Sequence, residues 1–442
     1  MFSTVRVSRS SLKRVPRSGF IPTSVSSTRT VLVLYTALGS SPYSTSTPNP
    51  SSPSTSNSNE TPLSALPPLP SQSEWRSIFN PPGASLGLRE RISIRNPHTA
   101  RSLAEGFTRW TKPLFEADEA KGKANLVKGA PKIIIEAFPG PGTLTRALLT
   151  LPRDSFDKLI VLEEQPRYLD YLKPLEEVDD RVKVFPYSGY SWDTYSMLDD
   201  QGWLDDVPRV PWDNGVHQNL QFISHIPHSI TGEQLVNQFL RCIPDKTWPF
   251  KYSTLDLIMG EWVWQRSSAS PTQSARCKLS VIAEASAELS LNLPIGRLLP
   301  YDDHFHPTVP KTASLVASGR PEVRKLGHPM VGVNLLPHEE QVIGDAMLEK
   351  WDYCLRRLFV LKGQTLKAAI GSLAPGAQSL LKPLTDPSLP PEERVDVKKQ
   401  IRRLDIKDWA LILRAFNNWP FAPEASKHHP LVIPTLLGMI RC

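Results

Sequence analysis

The feature that most constrains this 442-residue chain is a short β-branched run followed by a glycine-rich turn and a helical stretch. The run is Lys132–Glu136, the turn ends at Gly142, and Thr143–Leu151 has a helical pattern. A strand, a glycine turn and a helix in this order form the first unit of a doubly wound α/β sheet. Gly140 and Gly142 would let the backbone approach a ligand at the carboxyl end of the strand. A tight turn without any ligand is the alternative.

Two further runs fit the same sheet. Lys158–Leu162 predicts a second buried strand, which ends at Glu163, and Arg181–Phe185 predicts a third. An acidic residue at the end of the second strand, about 20 residues beyond the glycines, suits the diol of a ribose. Glu163 is therefore a candidate ligand of a nucleotide-type cofactor.

The N-terminal region has a composition of its own. The chain carries 51 Lys and Arg against 44 Asp and Glu, but six of the basic residues precede the first acid, Glu60, so the rest holds 45 against 44. Bulk charge therefore does not predict nucleic-acid binding. Residues 1–36 are rich in Arg and Ser and lack acids, which is typical of a mitochondrial transit peptide. Residues 37–74 predict a disordered Ser/Thr/Pro-rich linker. We expect a protein of the mitochondrial matrix, although a basic tail without a targeting role is the alternative.

Simple patterns argue against three classes of protein, which are membrane-spanning proteins, zinc ribbons and disulfide scaffolds. No apolar run approaches the ~20 residues that a membrane-spanning helix needs, so no membrane partner is expected. The four cysteines are scattered without a CxxC pair, which excludes a zinc ribbon and a disulfide scaffold. Four histidines (His225, His228, His304 and His306) have no other ligands around them in the sequence, so no metal is predicted.

The glycine turn and the second strand together resemble a known family. EAFPGPGTLTRALL resembles the first motif of the S-adenosyl-L-methionine-dependent rRNA adenine dimethyltransferases, and VLEEQPRYLDYL resembles their second. The resemblance extends over roughly residues 90–420. It implies a Rossmann-like class I methyltransferase domain at 75–310 and a small C-terminal helical domain at 311–442 that binds nucleic acid. It also implies that S-adenosyl-L-methionine is the cofactor, with binding positions at Glu136, Gly140, Gly142, Glu163 and Ser188.

The chain departs from the family pattern at the positions that carry chemistry. Phe138 stands at the first glycine of motif I, and Ser188 stands where the family has an acid for the adenine amino group. The catalytic motif, Asn-Leu-Pro-Tyr in the family, is represented by His225, Pro227 and His228. The amide that would orient the target amine is therefore missing. We predict a degenerate and inactive motif, while retention of the cofactor stays open.

Later segments resemble a subfamily more closely. Phe239–Tyr252, Trp351–Tyr353 and Phe416–Pro423 are similar to the fungal mitochondrial transcription factor B proteins. These are dimethyltransferase relatives that serve as initiation factors for the single-subunit mitochondrial RNA polymerase. The resemblance implies two partners, which are this RNA polymerase and the non-template strand of promoter DNA.

Basic residues of the C-terminal region have a physical interpretation independent of any family. Apolar residues recur at helical spacing from Ala346 to Leu373 and leave the basic residues for an exposed side. A second basic cluster follows near residues 394–403. The predicted phosphate contacts are Arg356, Arg357, Lys362, Lys367, Lys399, Arg402 and Arg403. Solvated helix faces are the alternative for each cluster.

Three functions follow from these observations. The favoured one is a binding protein that helps the mitochondrial RNA polymerase to recognise and melt promoters. Its main rival is an active S-adenosyl-L-methionine-dependent adenine N(6)-dimethyltransferase of the mitochondrial small-subunit rRNA. A third is a matrix RNA-binding or ribosome-assembly protein that uses the fold without chemistry.

Overall fold

The computed structural model describes residues 61–120, 131–207, 219–244, 254–309, 326–344 and 346–423. The predicted transit peptide and residues 245–252 of the segment that resembles transcription factor B lie outside the described residues. None of the described helices is both long and apolar enough to cross a membrane.

A seven-stranded sheet organises the fold. The strands of the described region are β1 Ser93–Ile94, β2 Ile133–Ala137, β3 Lys158–Leu162, β4 Val182–Phe185, β5 Leu220–His225, β6 Thr254–Gly260, β7 Ala287–Leu291, β8 Phe305–His306 and β9 Met330–Pro337. The order within the seven-stranded sheet is β4-β3-β2-β5-β6-β9-β7. The first five run parallel to one another, whereas β9 is antiparallel to both of its neighbours. A separate antiparallel pair is formed by β1 and β8.

Helices follow most strands and cover the sheet. The helices of the described region are α1 Trp75–Phe79, α2 Leu86–Arg89, α3 Pro97–Ala120, α4 Thr143–Leu149, α5 Pro166–Leu172, α6 Trp192–Asp200, α7 Ile230–Cys242, α8 Glu261–Ser267, α9 Lys278–Ser286, α10 Tyr301–His304, α11 Leu348–Phe359, α12 Leu366–Ala369, α13 Leu381–Leu384 and α14 Ile406–Asn417. The predicted α/β class, with the mostly parallel sheet of a Rossmann-like methyltransferase, is confirmed.

The central strands are apolar on both faces because both faces are buried. Along β2, Ile133 and Ile135 join one hydrophobic cluster, while Ile134 between them joins the other. Ile160 and Leu159 on β3 divide in the same way. Continuous β-branched runs of this kind are what a parallel sheet between two helical layers requires. They are also the reason why these strands were predictable from sequence.

The sheet extends beyond the range predicted for the methyltransferase-like domain. Strand β9 lies in the range 311–442 that we expected to be helical, yet it pairs with both β6 and β7. Trp351, Leu355 and Phe416 of the C-terminal helices belong to the same hydrophobic cluster as Val333 of β9. The predicted boundary at residue 310 therefore does not separate two cores. The isolated strand was missed because its partners lie 40 or more residues earlier in the chain.

The described residues begin at residue 61, within the range predicted as linker. Leu63–Ala65 form a 3-10 turn, and Leu66 is buried. The Pro67 carbonyl accepts a hydrogen bond of 3.0 Å from Nε of Arg146. Leu66 and Pro67 therefore contact the domain, although they lie within the range 37–74 that was predicted as linker.

Candidate functional site

The loop after β2 has the backbone that a glycine-rich turn requires. Phe138, Gly140 and Gly142 all have positive φ, at 60°, 63° and 84°. A Cβ at Gly142 would lie 2.4 Å from Cδ2 of Leu172, and a Cβ at Gly140 would lie 2.3 Å from Oγ of Ser93. The positive φ and the close side chains together favour glycine at both positions, whether or not a ligand approaches them.

Phe138 is buried between the glycine turn and the loop after β4. Its ring centroid lies 4.6 Å from that of Tyr190. A Cβ at Gly189 would lie 2.9 Å from Phe138 Cζ, so the ring lies against the backbone of the loop after β4. Phe138 thus fills space between the glycine turn and the predicted adenine position at Ser188.

Glu163 lies at the end of β3, as predicted, but its carboxylate is already occupied. Arg91 donates to both oxygens, with Nη2–Oε2 at 2.5 Å and Nη1–Oε1 at 3.3 Å. The backbone N–H groups of Gly140 and Gln165 add bonds of 3.3 and 3.1 Å. The Arg91 guanidinium also lies 4.9 Å from the ring centroid of Phe138. Both carboxylate oxygens that a ribose diol would need are thus hydrogen-bonded within the chain.

The charge pair of Arg91 and Glu163 is enclosed. The two side chains are only 5% and 0% exposed. Burial raises the pKa of the Glu163 carboxyl, and the neighbouring guanidinium opposes that rise. No local pattern pointed to Arg91, because 72 residues separate it from Glu163.

Ser188 makes its hydrogen bonds with residues that follow it in the same loop and at the start of α6. Its Oγ accepts a bond of 3.4 Å from the N–H of Tyr190, and its carbonyl accepts one of 2.8 Å from Oγ1 of Thr194. These contacts fix the turn into α6. No described side chain there supplies the acid that the family uses for adenine.

The two degenerate catalytic histidines are held inside the domain. His225, the last residue of β5, places Nε2 3.2 Å from Oε1 of Glu136, and Oγ1 of Thr145 donates to the other oxygen at 2.7 Å. Both His225 and Glu136 are buried. His225 therefore ties β5 to β2 and does not face a groove.

The other part of the motif is also enclosed. The ring of His228 stacks on Trp262 at 6.4 Å between centroids and 15° between planes. Its backbone N–H donates to the carbonyl of Glu90 at 2.9 Å. Gly232 lies so close to the Pro227 carbonyl that a Cβ there would be 1.9 Å away. The position that would stack on a substrate base is filled by protein.

The two basic clusters of the C-terminal region meet through their backbones. The N–H of Leu366 donates to the Lys399 carbonyl at 3.0 Å, and that of Arg402 donates to the Lys362 carbonyl at 3.1 Å. We call the paired segments 361–367 and 397–403 the basic ledge. Sequence separation concealed this pairing, which places the segment of Lys362 and Lys367 beside the segment of Lys399 and Arg402.

The basic residues predicted to contact phosphate differ in their exposure and in whether an acidic side chain already pairs with them. Lys362, Lys367 and Arg403 are exposed on the ledge, and Arg402 is half-buried. Lys399 is engaged with Asp408 at 2.7 Å and Asp405 at 3.3 Å. On α11, Arg356 pairs with Asp352 at 3.0 Å, and the exposed Arg357 lies over the ring of Tyr353. Lys399 and Arg356 are thus already paired within the protein.

A mostly parallel sheet with a glycine turn after its first long strand and an acid after the second defines a methyltransferase-like α/β protein. The family model described as "Ribosomal RNA adenine dimethylase" matches residues 117–412. This chain belongs to the ribosomal RNA adenine dimethylase family, and the resemblance found in its motifs is confirmed.

Curated relatives fall into two groups. The chain is 23% identical over 308 residues to "Mitochondrial transcription factor 1" of Lachancea kluyveri, covering 66% of this chain and 82% of that protein. It is 25% identical over 304 residues to the protein of the same name from Saccharomyces paradoxus, covering 66% and 81%. It is 23% identical over 329 residues to "Dimethyladenosine transferase 1, mitochondrial" of Vermamoeba vermiformis, covering 66% and 84%. The likeness to the transcription factors agrees with the subfamily that the later segments indicated.

Proposed function

We propose that this protein is a mitochondrial transcription initiation factor, which assists the single-subunit mitochondrial RNA polymerase in recognising and melting promoters. The observation that carries the proposal is the basic ledge on a scaffold whose catalytic positions are enclosed. The names of the two fungal relatives support it. A place in the mitochondrial matrix is part of the proposal, supported by the predicted transit peptide and by the mitochondrial names of the relatives.

The enclosed histidines argue against methyl transfer. Methylation of an adenine amine requires the nitrogen to be positioned in line with the methyl donor by a hydrogen-bond acceptor. His225 is engaged by Glu136, and His228 is stacked under Trp262, so neither is available to a base. A dimethyltransferase of small-subunit rRNA is therefore the weaker candidate.

Promoter melting can follow from preferential binding of a single strand. Opening duplex DNA costs roughly 1–2 kcal/mol per base step. A factor offsets that cost only if it binds the unpaired strand better than the duplex. The exposed cations of the ledge suit contacts with the phosphates of the non-template strand.

Run-off transcription with the cognate mitochondrial RNA polymerase tests the proposal. We expect the protein to be required on a duplex promoter and dispensable on a template whose start site is already unpaired. Stimulation of neither template would refute the initiation role. Methylation of small-subunit rRNA, measured in parallel, would instead establish the rival enzyme, and preferential binding of structured RNA would favour a ribosome-assembly role.

Removing three cations from the ledge should weaken DNA binding and reduce its salt dependence. For the triple variant Lys362→Ala, Lys367→Ala and Arg403→Ala, we expect the slope of log K against log [salt] to become shallower by about 2, because each lost phosphate contact with single-stranded DNA removes about 0.7. Fluorescence anisotropy with single-stranded DNA across a salt series measures both quantities.

A charge-matched variant serves as the control for the ledge. Arg109→Ala, Arg153→Ala and Lys183→Ala removes the same charge from side chains that are 73%, 47% and 40% exposed and lie on other elements. We expect this variant to keep the slope of the unmodified protein. Equal reductions in DNA affinity and in salt slope for the two triple variants would show that net charge, and not the ledge, determines DNA binding.

A further inference from the structure

We propose that the pocket which holds the cofactor in methyltransferases is an internal lock in this protein, with Arg91 in place of the ribose diol and Phe138 in place of part of the adenosyl group. S-adenosyl-L-methionine does not bind to the locked site. This inference rests on family membership and deepens the proposed function, since it explains why the scaffold no longer needs its cofactor.

The charge on Glu163 accounts for the first half of the lock. A buried carboxylate without a partner is strongly unfavourable, so an acid at this position needs donors at all times. In a cofactor-binding site the ribose hydroxyls serve this purpose only while the ligand is bound. Here the guanidinium of Arg91 makes a permanent two-oxygen contact and stays charged at any accessible pH. A ribose would have to displace a buried cation.

The backbone of Phe138 accounts for the second half. A non-glycine residue in the left-handed region is strained, as Phe138 is at φ 60°, and a glycine at the same place would avoid that strain. The phenylalanine persists because its buried ring packs against Tyr190 and under the Arg91 guanidinium. The loop thus keeps a conformation suited to glycine while its side chain fills the space beside the turn.

One N-terminal segment holds the lock closed. We call residues 90–94 the strap. The Glu90 carbonyl accepts the N–H of His228, Arg91 binds Glu163, and Ser93 lies on Gly140. Strand β1, at the end of the strap, pairs with β8. The strap therefore spans the cofactor side and the catalytic-motif side of the former active site together.

Reverting two residues should reopen the site. In the double variant Arg91→Gln and Phe138→Gly, the guanidinium and the ring are removed, while Glu163, Gly140 and Gly142 remain. We expect S-adenosyl-L-methionine to bind this variant with a Kd at least about tenfold lower than its Kd for the unmodified protein. Isothermal titration calorimetry measures both values. Adding Glu163→Ala to the double variant should abolish the binding.

Arg95→Gln is the matched control, because Arg95 follows the strap and contacts the Asp302 carbonyl and the side chain of Gln72. We expect it to leave the site closed. Saturable binding of S-adenosyl-L-methionine by the unmodified protein at micromolar concentration would overturn the lock. A folded double variant that fails to bind would do the same.

Hydrogen exchange keeps the inference testable if the double variant does not fold. The amides of Gly140 and Gln165 both donate to Glu163. If the site is locked, these amides should exchange only when the whole protein unfolds. Rapid exchange in the unmodified protein would contradict the lock. None of these measurements uses polymerase or DNA, so their outcome is distinguishable from that of the transcription assay.

Discussion

Replacing Arg91 with alanine is expected to lower the free energy of unfolding by about 3–5 kcal/mol, the range observed when one partner of a buried ion pair is removed. The substitution leaves the fully buried carboxylate of Glu163 with backbone donors alone. It also removes the cation that lies over the ring of Phe138. Urea unfolding followed by tryptophan fluorescence measures the loss.

An exposed ion pair provides the comparison. Arg153→Ala breaks a pair with Asp180 in which the side chains are 47% and 83% exposed, and exposed pairs contribute about 0–1 kcal/mol. The Arg91→Ala deficit should also shrink at acidic pH. Removing the guanidinium raises the pKa of Glu163 further, so the buried group takes up a proton as the pH falls and its charge disappears. Similar losses for the two variants, or a deficit independent of pH, would contradict the account.

Replacing Asp256 with asparagine should change how stability depends on pH. Asp256 lies on β6, fully buried, where Oδ2 accepts a bond of 2.6 Å from Nε2 of Gln221. Oδ1 has no partner among the described residues. Burial raises the pKa of Asp256 to about 8, from an ordinary value of 3.8. Between these two values the folded protein holds a proton that the unfolded chain releases.

The sign of the effect follows from that proton. Stability contributed by the protonated group is fully present below pH ~4 and falls by about 1.4 kcal/mol per pH unit until it is lost near pH 8. Asparagine does not titrate, so the Asp256→Asn variant should gain stability relative to the unmodified protein by about 4 kcal/mol between pH 5 and pH 8. Urea unfolding at several pH values gives the two curves.

Asp180→Asn controls for the loss of a carboxylate, since that side chain is 83% exposed. Its stability curve should run parallel to that of the unmodified protein. If the Asp256→Asn curve were parallel as well, Asp256 would be ionised in the folded state and the assignment would be wrong.

The parts of the fold that could be predicted are those with local patterns. Lys158–Leu162 was predicted with its observed bounds, and the strand predicted at 132–136 begins and ends one residue later. Both are continuous apolar runs bounded by turn residues. Strand β9 has a comparable composition but follows a segment without a pattern, and its place between β6 and β7 depends on pairings that no local rule contains.

The position of the candidate site could be predicted from the sequence, but the contacts that occupy its side chains could not. Glu163 lies at the end of the second long strand, as its spacing from the glycine turn indicated. Its engagement by Arg91 could not be inferred, because that contact depends on where a distant segment crosses the sheet edge. The pairing of the basic ledge is hidden in the same way, since it is made by backbone groups of two loops and not by the cations themselves.

The position of β9 also sets an order of events during chain synthesis. Strand β7 pairs with β9 and with no other described strand, although β9 begins 39 residues after β7 ends, at Met330. A nascent chain that has emerged only as far as residue 310 therefore presents β6 and β7 as open edges, which are prone to associate with other chains. Strands β6 and β7 gain their shared partner only when residues 330–337 have emerged. Ribosomal pausing before that point would keep both edges open for longer, and we expect such a species to associate with other chains or to bind a chaperone.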